Sequence, residues 1–214
     1  MARKYLELNV TPAVEAAQSH YYGHARSFPP GAASAPTPLG PDEAEFIAER
    51  DSFYLATVSE TGWPYVQHRG GPKGFLRVLD PHTLAFADLR GNTQLLSTGN
   101  LTAGNDRVAL FLMDYPQRAR LKIMGHARVL DARAEPTLAA EAVSGEGELA
   151  KAERVFVIDV VSFDWNCPQH ITPRYSEEEI EKIIVAPLRV QIAELQAQLR
   201  SSAAAVNDRN ANGS

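Results

Sequence analysis

The hydrophobic positions change their period along the chain, and each change marks an element. From Thr11 they follow a helical spacing, and Thr11 before Pro12 pairs a capping hydroxyl with a proline at the first helical position, so a helix is expected over about 12–26. Prolines at 29, 30, 36, 38 and 41 then make an extended connector. PDEAEFIAERD reads as a short helix with Phe46 and Ile47 on its apolar side. From SFYLATVSE onward the period is that of strands: WPYVQH, GFLRVLD, TLAFAD, RVALFLMD, ARLKIMGHARVLD and VFVIDVVSFDW follow, rich in aromatic and β-branched residues. RVALFLMD hardly alternates, which predicts burial on both faces. Gly125 inside its strand predicts a bulge.

RGNTQLLSTGNLTAGND reads as a loop feeding a short helix, and AEPTLAAEAVSGEGELA as helical. Strands recurring at about eight to twelve residues with few helices between them argue for an antiparallel barrel or sandwich. The fold class expected is mainly β with flanking helices (α+β). The tail opens on a capping box, Ser176 to Glu179, and Pro187 is expected to break or kink it. Beyond lies an apolar stripe of Leu188, Ile192, Leu195 and Leu199, then an end, NDRNANGS, expected to be disordered. The division expected is an N-terminal helix and connector over 1–40, a barrel over 41–175 and a helical tail over 176–214.

Composition narrows the function. Lys and Arg number 21 against 26 Asp and Glu, a formal charge of −5, which argues against a nucleic-acid footprint. One cysteine, Cys167, permits no intrachain disulfide and suits a reducing cytoplasm. The first residues lack the apolar core of a signal peptide, and no run approaches the roughly 18 apolar residues of a membrane span.

The densest candidate chemistry lies in QHRGGPKGFLRVLD, where His68, Arg69 and Lys73 flank Gly70, Gly71 and Pro72. A guanidinium fork bonds phosphate oxygens in pairs, and glycine N–H groups approach an anion with no Cβ in the way. An ordinary polar hairpin is the rival reading. DLRGNTQLLS places Asp88 to Thr93 before a helix start, where Asn92, Thr93 or Ser97 offers donors to a phosphate or simply caps the helix. Arg118, Arg120 and Lys122 share one strand face. WNCPQHITPR gathers Trp165, Cys167, Gln169, His170 and Arg174 in ten residues, as a lid or, less simply, a Cys167–His170 nucleophilic pair. His20 and His24 share a helix face without a third metal ligand, so no metal site is expected.

The ordered motifs QHRGGP, GFLRVLD, TLAFAD, Gly91-Asn92, Asn100-Leu101, RARLKIMGHARV and WNCPQHITPR resemble the pyridoxamine 5′-phosphate oxidase-related superfamily of flavin-binding split β-barrels, in its flavin-nucleotide-binding branch, over roughly Phe46 to Arg174. The resemblance implies a six-stranded antiparallel Greek-key split barrel, FMN as cofactor, and a homodimer with sites at the subunit interface. It implies an oxidoreductase acting on an unidentified small substrate, with NAD(P)H as a possible donor. A non-catalytic flavin-binding or redox-sensing module, or a deazaflavin-dependent reductase, is the alternative on the same barrel. Arg69 matches the oxidases' phosphate arginine. Their Arg-Lys pair falls on the neutral Thr93 and Gln94, their ring-bonding glutamine near Arg120, and their late tryptophan and arginine on Trp165 and Arg174. The cofactor-binding set expected is therefore Gln67, His68, Arg69, Gly70, Gly71, Asp88, Gly91, Asn92, Thr93, Gln94, Arg120, Trp165, Gln169 and Arg174.

Overall fold

The computed structural model describes residues 3–27, 35–91, 93–143, 146–165 and 169–211. In chain order the elements are α1 (Arg3–Asn9), α2 (Pro12–Tyr22), α3 (Pro41–Ala48), β1 (Ser52–Val58), β2 (Pro64–Gly70), β3 (Arg77–Asp80), β4 (Thr83–Leu89) and α4 (Leu96–Thr102). There follow β5 (Arg107–Asp114), β6 (Ala119–Asp131), α5 (Pro136–Glu141), α6 (Glu146–Leu149), β7 (Ala152–Trp165), α7 (Glu177–Ile180), a π turn (Glu181–Val185) and α8 (Ala186–Ala211). The chain divides into two units, residues 1–114 with 118–171, and residues 115–117 with 172–214.

In the first unit seven strands form one antiparallel sheet in the order β2-β1-β5-β6-β7-β4-β3. The count is seven rather than six because β3, four residues long, adds an edge strand beside β4. Three strands separate β1 from β4 in that order, yet Phe53 and Phe86 meet edge to face at 5.3 Å. A sheet that curls round on itself brings them together. The fold is a split β-barrel with flanking helices.

The main core fills the curl. Phe53 and Leu55 of β1, Leu110 and Leu112 of β5, Leu121 and Ile123 of β6, and Phe86 and Phe156 of the far side are all buried in it. Each such side chain contributes roughly 1.5–3 kcal/mol relative to exposure. A smaller cluster lies outside the curl, where Ala139 and Ala142 pack on Ala85, Val155 and Val157. This covering decides which strands are dry on both faces. They are β4 and β7, with Val155 to Ile158 all buried, and not β5, whose residues alternate between buried and half-buried.

Gly125 does mark a bulge, since the β6–β7 register shifts there and a Cβ would lie 2.6 Å from the Asp159 carbonyl oxygen. The helix begun at Thr11 and Pro12 stops at Tyr22 rather than near Arg26, because Gly23 takes a left-handed φ of 72° and its N–H returns to the Ser19 carbonyl. At the β3–β4 turn the His82 amide donates to Asp80, which with the Thr83 hydroxyl holds that carboxyl below its ordinary pKa.

The second unit carries the Ser176–Glu179 capping box as expected. Pro187 does not end the helix. The Ala186 amide reaches back five residues to the Glu181 carbonyl, and this widened turn lets the chain pass a residue that has no N–H to offer. Helix α8 then runs to Ala211, so 207–211 are helical rather than disordered. Among the described residues no helix is long and apolar enough to cross a membrane.

Candidate anion-binding cleft

Arg69 points inward from β2, because alternation along that strand turns Gln67 and Arg69 to one face and Val66 and His68 to the other. Its guanidinium lies over the buried rings of Phe156, at 5.0 Å, and Phe86, at 5.5 Å. From there it reaches across the split to β4, where its Nη1 donates to Asp88 Oδ1 at 2.5 Å. Arg154 of β7, paired beside Asp88 in the sheet, donates from Nε to Asp88 Oδ2 at 2.8 Å. Two guanidiniums share one carboxylate, and all three side chains are at least four-fifths buried. Arg154 also pairs from Nη2 with the part-exposed Glu153 Oε2 at 3.1 Å, so the four side chains balance two positive charges against two negative. In addition, Arg69 Nε is buried with no hydrogen-bond partner among the described residues, which costs about 1–3 kcal/mol unless something accepts from it.

This cluster forms the floor of a cleft of about 240 Å³. Its rim is the loop between β4 and α4, with Gly91, Thr93 and Gln94 among its lining residues. Thr93 and Leu95 hold φ of 61° and 53° there, a left-handed conformation that costs an L-residue roughly 1–2 kcal/mol. Helix α4 begins at Leu96, and the Ser97 hydroxyl donates to Gln67 Oε1 at 2.9 Å. Ser97 therefore fixes Gln67 against the wall and is not a donor left for a ligand.

The expected site residues separate accordingly. Gln67, Arg69, Asp88, Gly91, Thr93 and Gln94 come together in the cleft. His68, Gly70 and Gly71 line a neighbouring cavity of about 200 Å³ that shares Arg69 and Asp88 with it. Gly71 has a packing reason of its own, since a Cβ there would lie 2.7 Å from the Phe75 ring. Arg120 lies on β6 over the Phe111 ring at 5.6 Å and does not line the cleft. Trp165 is held elsewhere, its Nε1 donating to Glu43 at 2.7 Å and its ring edge-on to Phe46. Gln169 is exposed, and Arg174, in the second unit, lies over Tyr115. Asn92, Asn166 and Cys167 fall outside the described residues.

Arg154 is the member that sequence reading missed. It sits in a strand named for its apolar run, 85 residues from Arg69, and its one sequence signal is a charge beside a stretch otherwise buried on both faces.

A family model described as pyridoxamine 5′-phosphate oxidase matches residues 39–164, more than half of the chain. The chain belongs to the pyridoxamine 5′-phosphate oxidase family. The match spans the cleft from Gln67 to Arg154. Among solved structures, HupZ of Group A Streptococcus is 16% identical over 64% of this chain and 99% of its own, with a TM-score of 0.47. A protein of Clostridium acetobutylicum related to general stress protein 26 of B. subtilis (pyridoxinephosphate oxidase family) is 13% identical over 65% and 94%, with a TM-score of 0.45. An FMN-binding protein from Syntrophomonas wolfei is 10% identical over 59% and 85%, with a TM-score of 0.42. No curated protein sequence matches the chain.

Proposed function

We propose that this chain binds a flavin nucleotide, FMN in the first instance, with its phosphate on Arg69 and Arg154, and that it acts as an oxidoreductase on a small substrate. The observation that carries the reading is the buried cluster of two arginines on one carboxylate at the floor of a cleft. Two arginines converge on the buried Asp88 beside the cleft, with only the part-exposed Glu153 as a second carboxylate, and Arg69 Nε is buried without an acceptor among the described residues. The donor set fits the group. Arg69 and Arg154 both line the cleft and offer guanidinium donors to phosphate oxygens, and Arg154 stands in for the basic pair that the neutral Thr93 and Gln94 do not provide. When bound, the flavin carries the hydride chemistry, and the protein supplies position and electrostatics. NAD(P)H is a donor to be tried, and the single cysteine favours a reducing, cytoplasmic setting.

The cleft of one chain, at about 240 Å³, is smaller than the roughly 300–1,000 Å³ usual for a cofactor-sized ligand. That supports a homodimer in which a second copy completes each site. A surface suited to it is the outer face of β2, β1 and β5, where Tyr54 pairs with Phe111 and Val66 with Ala56, and Val66 and Tyr54 are exposed. Symmetric pairing is the commonest way to cover such a face.

The deciding experiment compares two ligands. Arg69→Ala loses a charge-assisted hydrogen bond worth roughly 1.5–3 kcal/mol, so FMN binding should weaken about ten- to a hundred-fold. Riboflavin, which has no phosphate, should bind the variant as it binds the parent. Equal losses for both ligands would make Arg69 structural and refute the phosphate assignment. A monomer by light scattering that still holds flavin would remove the shared site.

A further inference from the structure

Helix α8 lies beyond the span matched to the family, which ends at residue 164. One side of it carries Leu188, Ile192, Leu195 and Leu199, each with half or more of its surface exposed. Val185, the last residue of the π turn, precedes them and is half-buried. From Val185 to Leu199 the steps are three, four, three and four residues, a mean of 3.5. At about 100° per residue the five side chains fall within an arc of about 80°. A helix that packs on a sheet or a globular core shows a wider stripe, of about 100° or more, whereas a narrow seam at a period of 3.5 suits another helix.

Three features say which helix. In heptad terms Val185, Ile192 and Leu199 occupy position a, and Leu188 and Leu195 position d. β-Branched residues at a with leucine at d favour two parallel strands. The positions flanking the seam are Arg189, Gln191, Gln196 and Gln198, and the one charge among them is tied to Glu181 of its own chain. Two copies therefore meet without like charges along the seam, and Gln191 of one copy comes beside Gln196 of the other. Pairing with a different chain is usually specified by charges at these flanks, and only Arg189 offers one. A membrane surface would ask for a polar side rich in Lys and Arg, but α8 up to Ser201 has Arg189 and Arg200 alone, with Glu194 between them.

We infer that α8 is a self-association helix, which pairs in parallel and in register with α8 of a second copy of this chain through Val185, Leu188, Ile192, Leu195 and Leu199. The inference rests on neither the flavin reading nor the barrel face proposed above, and it adds an interface that the barrel does not supply. A seam of about two heptads is short for a free helix in water. Where the barrels also pair, the tails meet at the millimolar effective concentration of a linked module.

The test uses the full chain. In a Cys167→Ser background, Leu195→Cys puts a thiol at the seam and Val190→Cys puts one on the opposite side of the helix. Mild oxidation should join Leu195→Cys chains into covalent dimers, because like d positions come within the roughly 7 Å between Cα atoms that a disulfide spans. Val190→Cys chains should stay largely single. Sedimentation on dilution then compares Ile192→Asp with Leu195→Asp, at the seam, against Val190→Asp with Ala197→Asp, which puts the same two residues on the opposite side. The seam pair should weaken self-association at least about ten-fold, towards the hundred-fold or more that linking two contacts can supply. The opposite pair should stay within about two-fold. Equal cross-linking of the two cysteine variants, with no weakening by the seam pair, would overturn the inference. Faster cross-linking of Leu188→Cys chains with Leu199→Cys chains than of Leu195→Cys chains with each other would overturn it too, since that is antiparallel pairing. Val66→Asp separates this interface from the barrel face: association lost there and kept in the seam pair leaves the barrel dimer standing without the tail. Association lost in the seam pair and kept in Val66→Asp supports the tail and removes the barrel face.

Discussion

Three buried carboxylates in this barrel make different use of the same chemistry. Asp114 takes Arg50 at 2.7 Å, and that guanidinium is covered by the Phe46 ring at 4.6 Å. Asp164 takes Lys122 at 2.6 Å, and that ammonium is covered by the Tyr5 ring at 4.8 Å. Both pairs are roofed by helices, α3 in one case and α1 in the other. Asp88 instead holds two arginines, and what lies beside them is an open cleft. A roofed ion pair is explained by folding alone. One left open beside a cleft is available to something that arrives later.

The contrast breaks most sharply at Asp114. Asp114→Ala leaves the buried Arg50 with only the exposed Glu49 as a carboxylate partner, which should cost about 3 kcal/mol in urea unfolding and leave flavin affinity unchanged in whatever folds. Arg154→Ala should do the reverse. Asp88 keeps Arg69, so stability should fall by about 1 kcal/mol, while FMN affinity drops about ten-fold or more and riboflavin affinity holds. If Arg154→Ala destabilises the barrel as much as Asp114→Ala does, the distinction collapses and the cluster is structural.

The strained loop offers a finer test. Thr93→Gly removes a left-handed threonine, so the protein should gain roughly 1 kcal/mol in denaturant unfolding, offset in part by the looser unfolded chain. Flavin should bind more weakly, because the loop no longer arrives in shape. A loss of stability would mean that Thr93 is held by contacts rather than strained. The smallest effect belongs to Arg128 and Asp159, a 2.6 Å pair in which both side chains are about half exposed. Arg128→Ala should shift unfolding by no more than about 0.5 kcal/mol, which sets the level against which the buried pairs are judged.

Much of this was legible before any coordinates. Strand type followed from period, the bulge from Gly125, the caps from Thr11 and Ser176, and the candidacy of Arg69 and Asp88, which line one cleft, from their neighbours in sequence. What escaped reading was long-range. Arg154 meets Asp88 only because β7 pairs with β4 across 66 positions, and no local pattern announces that. Gly71 looked like room for an anion and proved to be room for Phe75, a contact within a turn whose path the glycines themselves conceal. Trp165 was placed by resemblance near the flavin, while its indole N–H finds Glu43 on α3. The double burial expected of β5 belongs to β4 and β7, because it depends on where α5 lands rather than on how apolar a strand is.

The π turn at Glu181–Val185 makes the tail one residue longer than its path requires. An α-helix advances about 100° per residue, so eight residues would carry Leu188 about 80° round from Ile180. With one residue absorbed in the widened turn, the eight cover the arc of seven, and the two side chains fall within about 20° of one line. That line continues through Ile192, Leu195 and Leu199, all exposed. The turn behaves like slack in a belt. Deleting Lys182 should take up the slack but return Pro187 to an ordinary helix interior, where a kink is expected, whereas deleting Gln191 should swing the two halves of the line apart by about 100°.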